Sequence, residues 1–191
     1  MKFDAVLFDI DGTILDTREY IFQAYKYTIS RQLGKEVTWE EVAPTLGLHI
    51  HDCYQILTGL DDVDSLITTH DEFQYKNLDL IVSYKNALSV LETLKSAGVV
   101  MAVVTNRYGK QVGDSLELTG VKKYFQTIIT PLEVKNPKPD PESIHLALKK
   151  LKAKSQRTAV VGDSPFDIEA GKKAGCITIA ATYGYHGEKL S

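Results

Sequence analysis

Two aspartates two positions apart, Asp9 and Asp11, follow the candidate strand Phe3–Phe8 and lead into Gly12-Thr13. Side chains two apart on an extended backbone point the same way, so both carboxylates can face one substrate. Two carboxylates directly after a buried strand also repel each other and call for a compensating cation. An aspartate with an ordinary pKa of about 3.9 is ionised at neutral pH and needs no activating base to act as a nucleophile. A second carboxyl beside it can give a proton to a leaving oxygen and later take one from water. If the target is a phosphate, an anion must approach an anion, and a lysine or a hard metal ion has to neutralise the charge.

Three later segments carry residues suited to those tasks: Val104-Thr105-Asn106, Asn136-Pro137-Lys138-Pro139-Asp140-Pro141 and Gly162-Asp163-Ser164-Pro165-Phe166-Asp167. Each has a plain structural reading. Thr105 or Asn106 can cap the next helix, Lys138 can be a solvated loop lysine, and Asp167 can be the partner of a cap at Ser164. Their coincidence at successive strand ends favours a shared site, because ligands of doubly wound sheets bind outside the carboxyl ends of the strands. No His or Cys lies in these segments, which disfavours soft or imidazole-preferring metals.

The elements that must position these residues alternate between short apolar and longer amphipathic runs, the pattern of an α/β fold with a parallel sheet. Strands are predicted at Phe3–Phe8, Val99–Val104, Thr127–Thr130, Ala159–Val161 and Cys176–Ala180. Helices are predicted over Asn86–Ala97 and Lys110–Leu118, stopped by Gly98 and Gly120, and from Asp140-Pro141-Glu142 to about Lys152. The first two strands are separated by roughly ninety residues, far more than one crossover helix needs. That interval reads as helical, with capping boxes at Asp16-Thr17-Arg18-Glu19 and Thr38-Trp39-Glu40-Glu41 and a further helix from Asp61 or Asp62 towards Leu80. The expected organisation is a doubly wound, Rossmann-like α/β core of residues 1–15 and 83–191, with an α-helical cap of residues 16–82 inserted.

These motifs, in this order and over nearly the whole chain, resemble the haloacid dehalogenase superfamily, and within it the phosphoglycolate phosphatase-like branch with a helical cap. The resemblance implies a Mg²⁺-dependent phosphatase working through an aspartyl phosphate. Asp9 would be the nucleophile and Asp11 the general acid and base, with Thr105, Asn106 and Lys138 binding the phosphate. Asp163 would ligate Mg²⁺ with the Asp9 carboxylate and the Asp11 backbone carbonyl, and Asp167 would be a further acidic partner of the metal. Relatives that act as dehalogenases lack the second aspartate, present here as Asp11. A β-phosphoglucomutase-like mutase is a weaker match, since its cap places an arginine where Ile50 stands. The same core also admits an inorganic pyrophosphatase, and a catalytically silent binding or regulatory protein is the competing class. Arg18, His49 and His51 are candidates for substrate choice in the cap, and Arg107 is a candidate for the phosphate rim. Two departures from the family pattern stand out: Tyr84-Lys85-Asn86 replaces the usual Pro-Gly, and little chain follows the last strand.

Bulk properties set the remaining expectations. A net charge of −3 and a pI near 6.0 lack the basic balance of a nucleic-acid binder. The longest apolar stretch, Val99–Val104, is too short to span a bilayer. Cys53 and Cys176 have neither metal spacing nor a disulfide framework. The expected partner is therefore a small phosphorylated metabolite, with no nucleic acid and no membrane. The expected setting is the cytoplasm and the expected state a monomer or homodimer.

Overall fold

The structure is a computed structural model and describes residues 3–108, 111–187 and 190. It divides into two compact units, Met1–Asp16 with Val82–Ser191, and Thr17–Ile81.

The first unit is built on five parallel strands: β1 (Ala5–Phe8), β4 (Val100–Val104), β5 (Thr127–Ile129), β6 (Thr158–Gly162) and β7 (Ile177–Ala180). Their order is β5-β4-β1-β6-β7, with the first strand in the middle. All pairs are parallel, and Phe8 lies level with Val103 on one side and Val161 on the other. That register brings the ends of β1, β4 and β6 to one rim. On one face Leu7, Ala102, Val104, Ile129 and Val160 bury against Ile144, Ala147 and Leu148 of α7 (Glu142–Leu151), Ala170 of α8 (Pro165–Lys173) and Ala174, which caps α8. Removing such aliphatic surface from water supplies the main driving force, at about 25 cal/mol per Å². α5 (Ala87–Ser96) and α6 (Gln111–Leu118) complete the crossovers; Lys110, the expected first residue of α6, lies outside the described residues.

Strand starts depart from expectation at the amino end. Phe3 and Asp4 stay outside β1, and Asp4 pairs with Arg157 through its carboxylate. Asp140 accepts a bond from the Glu142 N–H at 2.9 Å, as a capping aspartate should, although α7 begins at Glu142 rather than at Pro141.

Unforeseen in the sequence was a two-stranded antiparallel pair, β2 (Leu15–Asp16) with β3 (Val82–Ser83). It joins the point where the chain leaves the first unit to the point where it returns.

The second unit holds α1 (Arg18–Leu33), α2 (Trp39–Val42), α3 (Ile50–Thr58) and α4 (Asp64–Lys76). Its own core contains Tyr25, Ile29, Val42, Cys53, Tyr54 and Leu66, with Ile21 and Leu33 of α1 packed against it. The Tyr54 hydroxyl lies 2.8 Å from His70 Nδ1 inside this core. The capping box at Thr38 is present, Glu41 accepting from the Thr38 N–H at 2.7 Å. At the other expected box α1 starts after Thr17, which makes no side-chain cap bond, and Asp16 lies in β2. α4 begins at Asp64, later than expected, with the Asp62 carboxylate accepting from its N–H. Among the described residues, no helix is long and apolar enough to cross a membrane.

Candidate active site

The rim of the parallel sheet collects the residues singled out from sequence. Asp9 follows β1, and its N–H is bonded to the Val161 carbonyl at 2.9 Å, which continues the ladder by one residue and fixes where the carboxylate starts. Thr105 follows β4 and is anchored in the same way to Ile129. Asp163 follows β6. Lys138 comes from the loop between β5 and α7, yet it is 5% exposed and reaches the same point.

Lys138 Nζ lies 2.8 Å from Asp9 Oδ1, 2.5 Å from Asp167 Oδ1 and 2.7 Å from the Val104 carbonyl oxygen. Three acceptors therefore take the three protons of one ammonium group. The loop is held by Asn106, whose side-chain N–H donates to the Lys138 carbonyl at 2.8 Å and whose amide oxygen accepts from the Lys138 N–H at 3.0 Å. Asn106, expected to contact phosphate, thus has its side chain engaged in seating the lysine.

Asp167 is the expected cap partner of Ser164 and also holds Lys138. Oδ2 closes the capping box of α8, accepting from the Ser164 hydroxyl at 2.6 Å and the Ser164 N–H at 3.0 Å, while Oδ1 takes Lys138. A Cβ at Gly162 would overlap the Asp167 side chain, so glycine at the end of β6 makes room for it.

Asp163 is enclosed by backbone. A Cβ on Gly12, whose φ of +78° already favours glycine, or on Gly184 would overlap its side chain. Its Oδ2 accepts from the Tyr185 N–H at 2.6 Å. The same carboxy-terminal turn is tied down by the Tyr183 hydroxyl, which donates to the Thr13 carbonyl at 2.8 Å. Asp11 points to Arg107, with Nη1 3.2 Å from Oδ1 and both side chains largely buried, so Arg107 belongs to this rim rather than to solvent.

Burial dominates the electrostatics. It pushes the Asp9 carboxyl well above the usual range; Lys138 works against that, and Asp167, Asp163 and Asp11 add to it. Asp163 is raised to about 7, first by burial and then by Asp167. Burial opposes the charge on Lys138, but Asp167 and Asp9 outweigh it and hold the ammonium above its ordinary pKa. The ionised Asp9 inferred from sequence is therefore not automatic in this setting and depends on cations.

The carboxylates of Asp9, Asp163 and Asp167 have oxygens within 4.8 Å of one another. Together with Asp11 they face Lys138 and Arg107, so among the described residues four carboxylates meet two cations. The unbalanced charge and the all-oxygen donor set fit a hard divalent ion. The trio in reach includes Asp167, expected to stand one step further out, while the Asp11 carboxylate is engaged with Arg107.

The cap candidates lie apart in role. Arg18 stacks over the Trp39 ring at 4.6 Å. His49 caps α3 by accepting from the His51 N–H at 3.3 Å, and His51 pairs with Asp64 at 3.3 Å. Ile50, where the resemblance leads one to expect arginine in a mutase, packs against the core of the second unit.

A family model described as haloacid dehalogenase-like hydrolase matches residues 6–181. The pyrophosphatase PpaX of Bacillus velezensis is 33% identical over 184 residues, covering 96% of this chain and 85% of that protein. A crystal structure from Haemophilus somnus, described as a predicted phosphoglycolate phosphatase, superposes with a TM-score of 0.91 at 24% identity and covers 97% of this chain and 88% of its own. A β-phosphoglucomutase candidate of Thermotoga maritima superposes with a TM-score of 0.75 at 28% identity, covering 92% of this chain and 82% of that one. The first of these structures bears out the doubly wound core with a helical insertion.

Proposed function

The chain belongs to the haloacid dehalogenase-like hydrolase family, and from that premise we propose that it is a Mg²⁺-dependent phosphatase of small phosphorylated metabolites that attacks through Asp9. The observation that carries this reading is Lys138 Nζ bridging Asp9 and Asp167 beside the Asp9-Asp163-Asp167 carboxylates.

Asp9, Asp163 and Asp167 would hold Mg²⁺, with the Asp11 backbone carbonyl as a further ligand. When bound, the ion supplies positive charge against the transferring phosphoryl oxygens and holds the substrate in line. Lys138 restrains the Asp9 carboxylate and adds a second positive charge. The Thr105 hydroxyl accepts from the Arg107 N–H at 3.0 Å, which leaves its own proton for a phosphoryl oxygen. An Asp9 oxygen then bonds to phosphorus as the ester oxygen departs with a proton from Asp11. Water attacks the same phosphorus in the second half-reaction, giving its proton to Asp11 and returning Asp9 as a carboxylate.

Phosphoglycolate-like monoesters are the first substrate class to try. Inorganic pyrophosphate is the second, favoured by the activity named for the 33% identical relative. A mutase is disfavoured by Ile50. The test is a panel of phosphorylated metabolites and pyrophosphate, assayed with and without Mg²⁺ and repeated with Asp9→Asn. The variant should lose about a thousandfold or more in kcat, as removal of a nucleophile does; steady turnover near the parent rate would remove Asp9 from the mechanism.

A further inference from the structure

The Arg107 side chain is not used by the scheme above, yet it is built into the site. It follows Thr105 and Asn106 at the end of β4, and its N–H is tied to the Thr105 hydroxyl. Its side chain is only 9% exposed and extends to Asp11, with Nη1 3.2 Å from Oδ1. Placing a guanidinium in so enclosed a position is costly unless an anion meets it there. The two cations of the rim are separated by task. Lys138 sits on Asp9, where the bond to phosphorus forms. Arg107 sits on Asp11, where the departing oxygen receives its proton.

We propose that Arg107 reads the leaving group and selects phosphate compounds whose departing half is itself an anion. The inference rests on the assignment of Asp9 and Asp11 made under Proposed function. A planar guanidinium fork matches both chemistries that fit: the second phosphate of pyrophosphate and the carboxylate of phosphoglycolate. An ester leaving as a neutral alcohol offers Arg107 no charge to grip.

The experiment compares kcat/KM in Mg²⁺ for pyrophosphate, phosphoglycolate and 2-hydroxyethyl phosphate, in which a hydroxymethyl group replaces the carboxylate. The two anionic compounds identify which leaving group the site prefers, and the third is the uncharged control. In Arg107→Met all three should slow, but the anionic-to-neutral ratio should fall by about tenfold or more, the size of a lost charged hydrogen bond. Arg107→Lys, which keeps the charge without the fork, should recover only part of that ratio and fall between Arg107→Met and the parent. Arg107→Gln serves in place of Arg107→Met if the latter does not fold, judged by its melting curve. An active parent without preference for the anionic pair, or a ratio that Arg107→Met leaves unchanged, overturns the role of Arg107 alone. A parent inactive on all three but active elsewhere in the metabolite panel overturns the role of Arg107 alone, whereas one inactive across the whole panel overturns the phosphatase reading and this one with it.

Discussion

Asp163 carries the clearest pH signature at the level of single residues. Its carboxyl is raised from 3.8 to about 7 by burial and by Asp167. Between those two values the folded protein binds a proton that the unfolded chain does not, so stability falls as pH rises through that window. The metal-free protein should therefore melt at lower temperature at pH 7 than at pH 5. Added Mg²⁺ should raise the melting temperature more at pH 8 than at pH 5, because ligand carboxylates must be ionised to bind it. A metal-free melting temperature that climbs across the window would contradict this account. Asn106 gives a second test. Its two bonds seat the Lys138 backbone, so Asn106→Ala should lower kcat about tenfold, as a small misplacement of a catalytic group can. Asn106→Asp keeps the acceptor for the Lys138 N–H and loses the donor to its carbonyl, and should fall between the two. Equal rates for all three proteins would show that the lysine needs no such support.

At the scale of elements, the turn from β6 into α8 is where packing and chemistry meet. Gly162 leaves space for Asp167, and Asp167 both caps α8 and holds Lys138. Gly162→Ala should cost about 1–3 kcal/mol, the usual penalty for overpacking, and should lower activity more than a comparable surface change; differential calorimetry and a rate assay would read the two effects. The same turn shows what was legible in the sequence. Asp163 and Asp167 could be placed because a short apolar run ends abruptly at Gly-Asp, and Thr105 could be placed for the same reason after Val99–Val104. β2 and β3 were invisible because two-residue strands carry no period. α3 was not separated out of the helical interval, since nine residues show little more than two turns of pattern. The Asn106–Lys138 and Arg107–Asp11 contacts were unreadable for a different reason: their partners stand 32 and 96 positions apart, and only the strand order makes them neighbours.

For the whole molecule, the inserted unit leaves and returns through a paired β2 and β3. Its ends are thus already adjacent, and little loop-closure entropy is lost in carrying it. The site itself lies within the first unit, and its rear wall comes from the far end of the chain. Residues Tyr183–Tyr185 place Gly184 against Asp163, donate the Tyr185 N–H to its carboxylate and tie back to Thr13. The family match ends at residue 181. A protein trimmed to that boundary would keep every side chain assigned to the reaction and still lose the backbone donors that hold one of them. It should need several-fold more Mg²⁺ for half-maximal rate, in keeping with the losses of about 10–100-fold seen when groups supporting a metal ligand are removed; a metal requirement matching that of the full chain would refute this. For anyone shortening the chain, the practical meaning is that a cut just past the family match would pass for a weak preparation when the true defect is an Asp163 carboxylate stripped of its backbone donor.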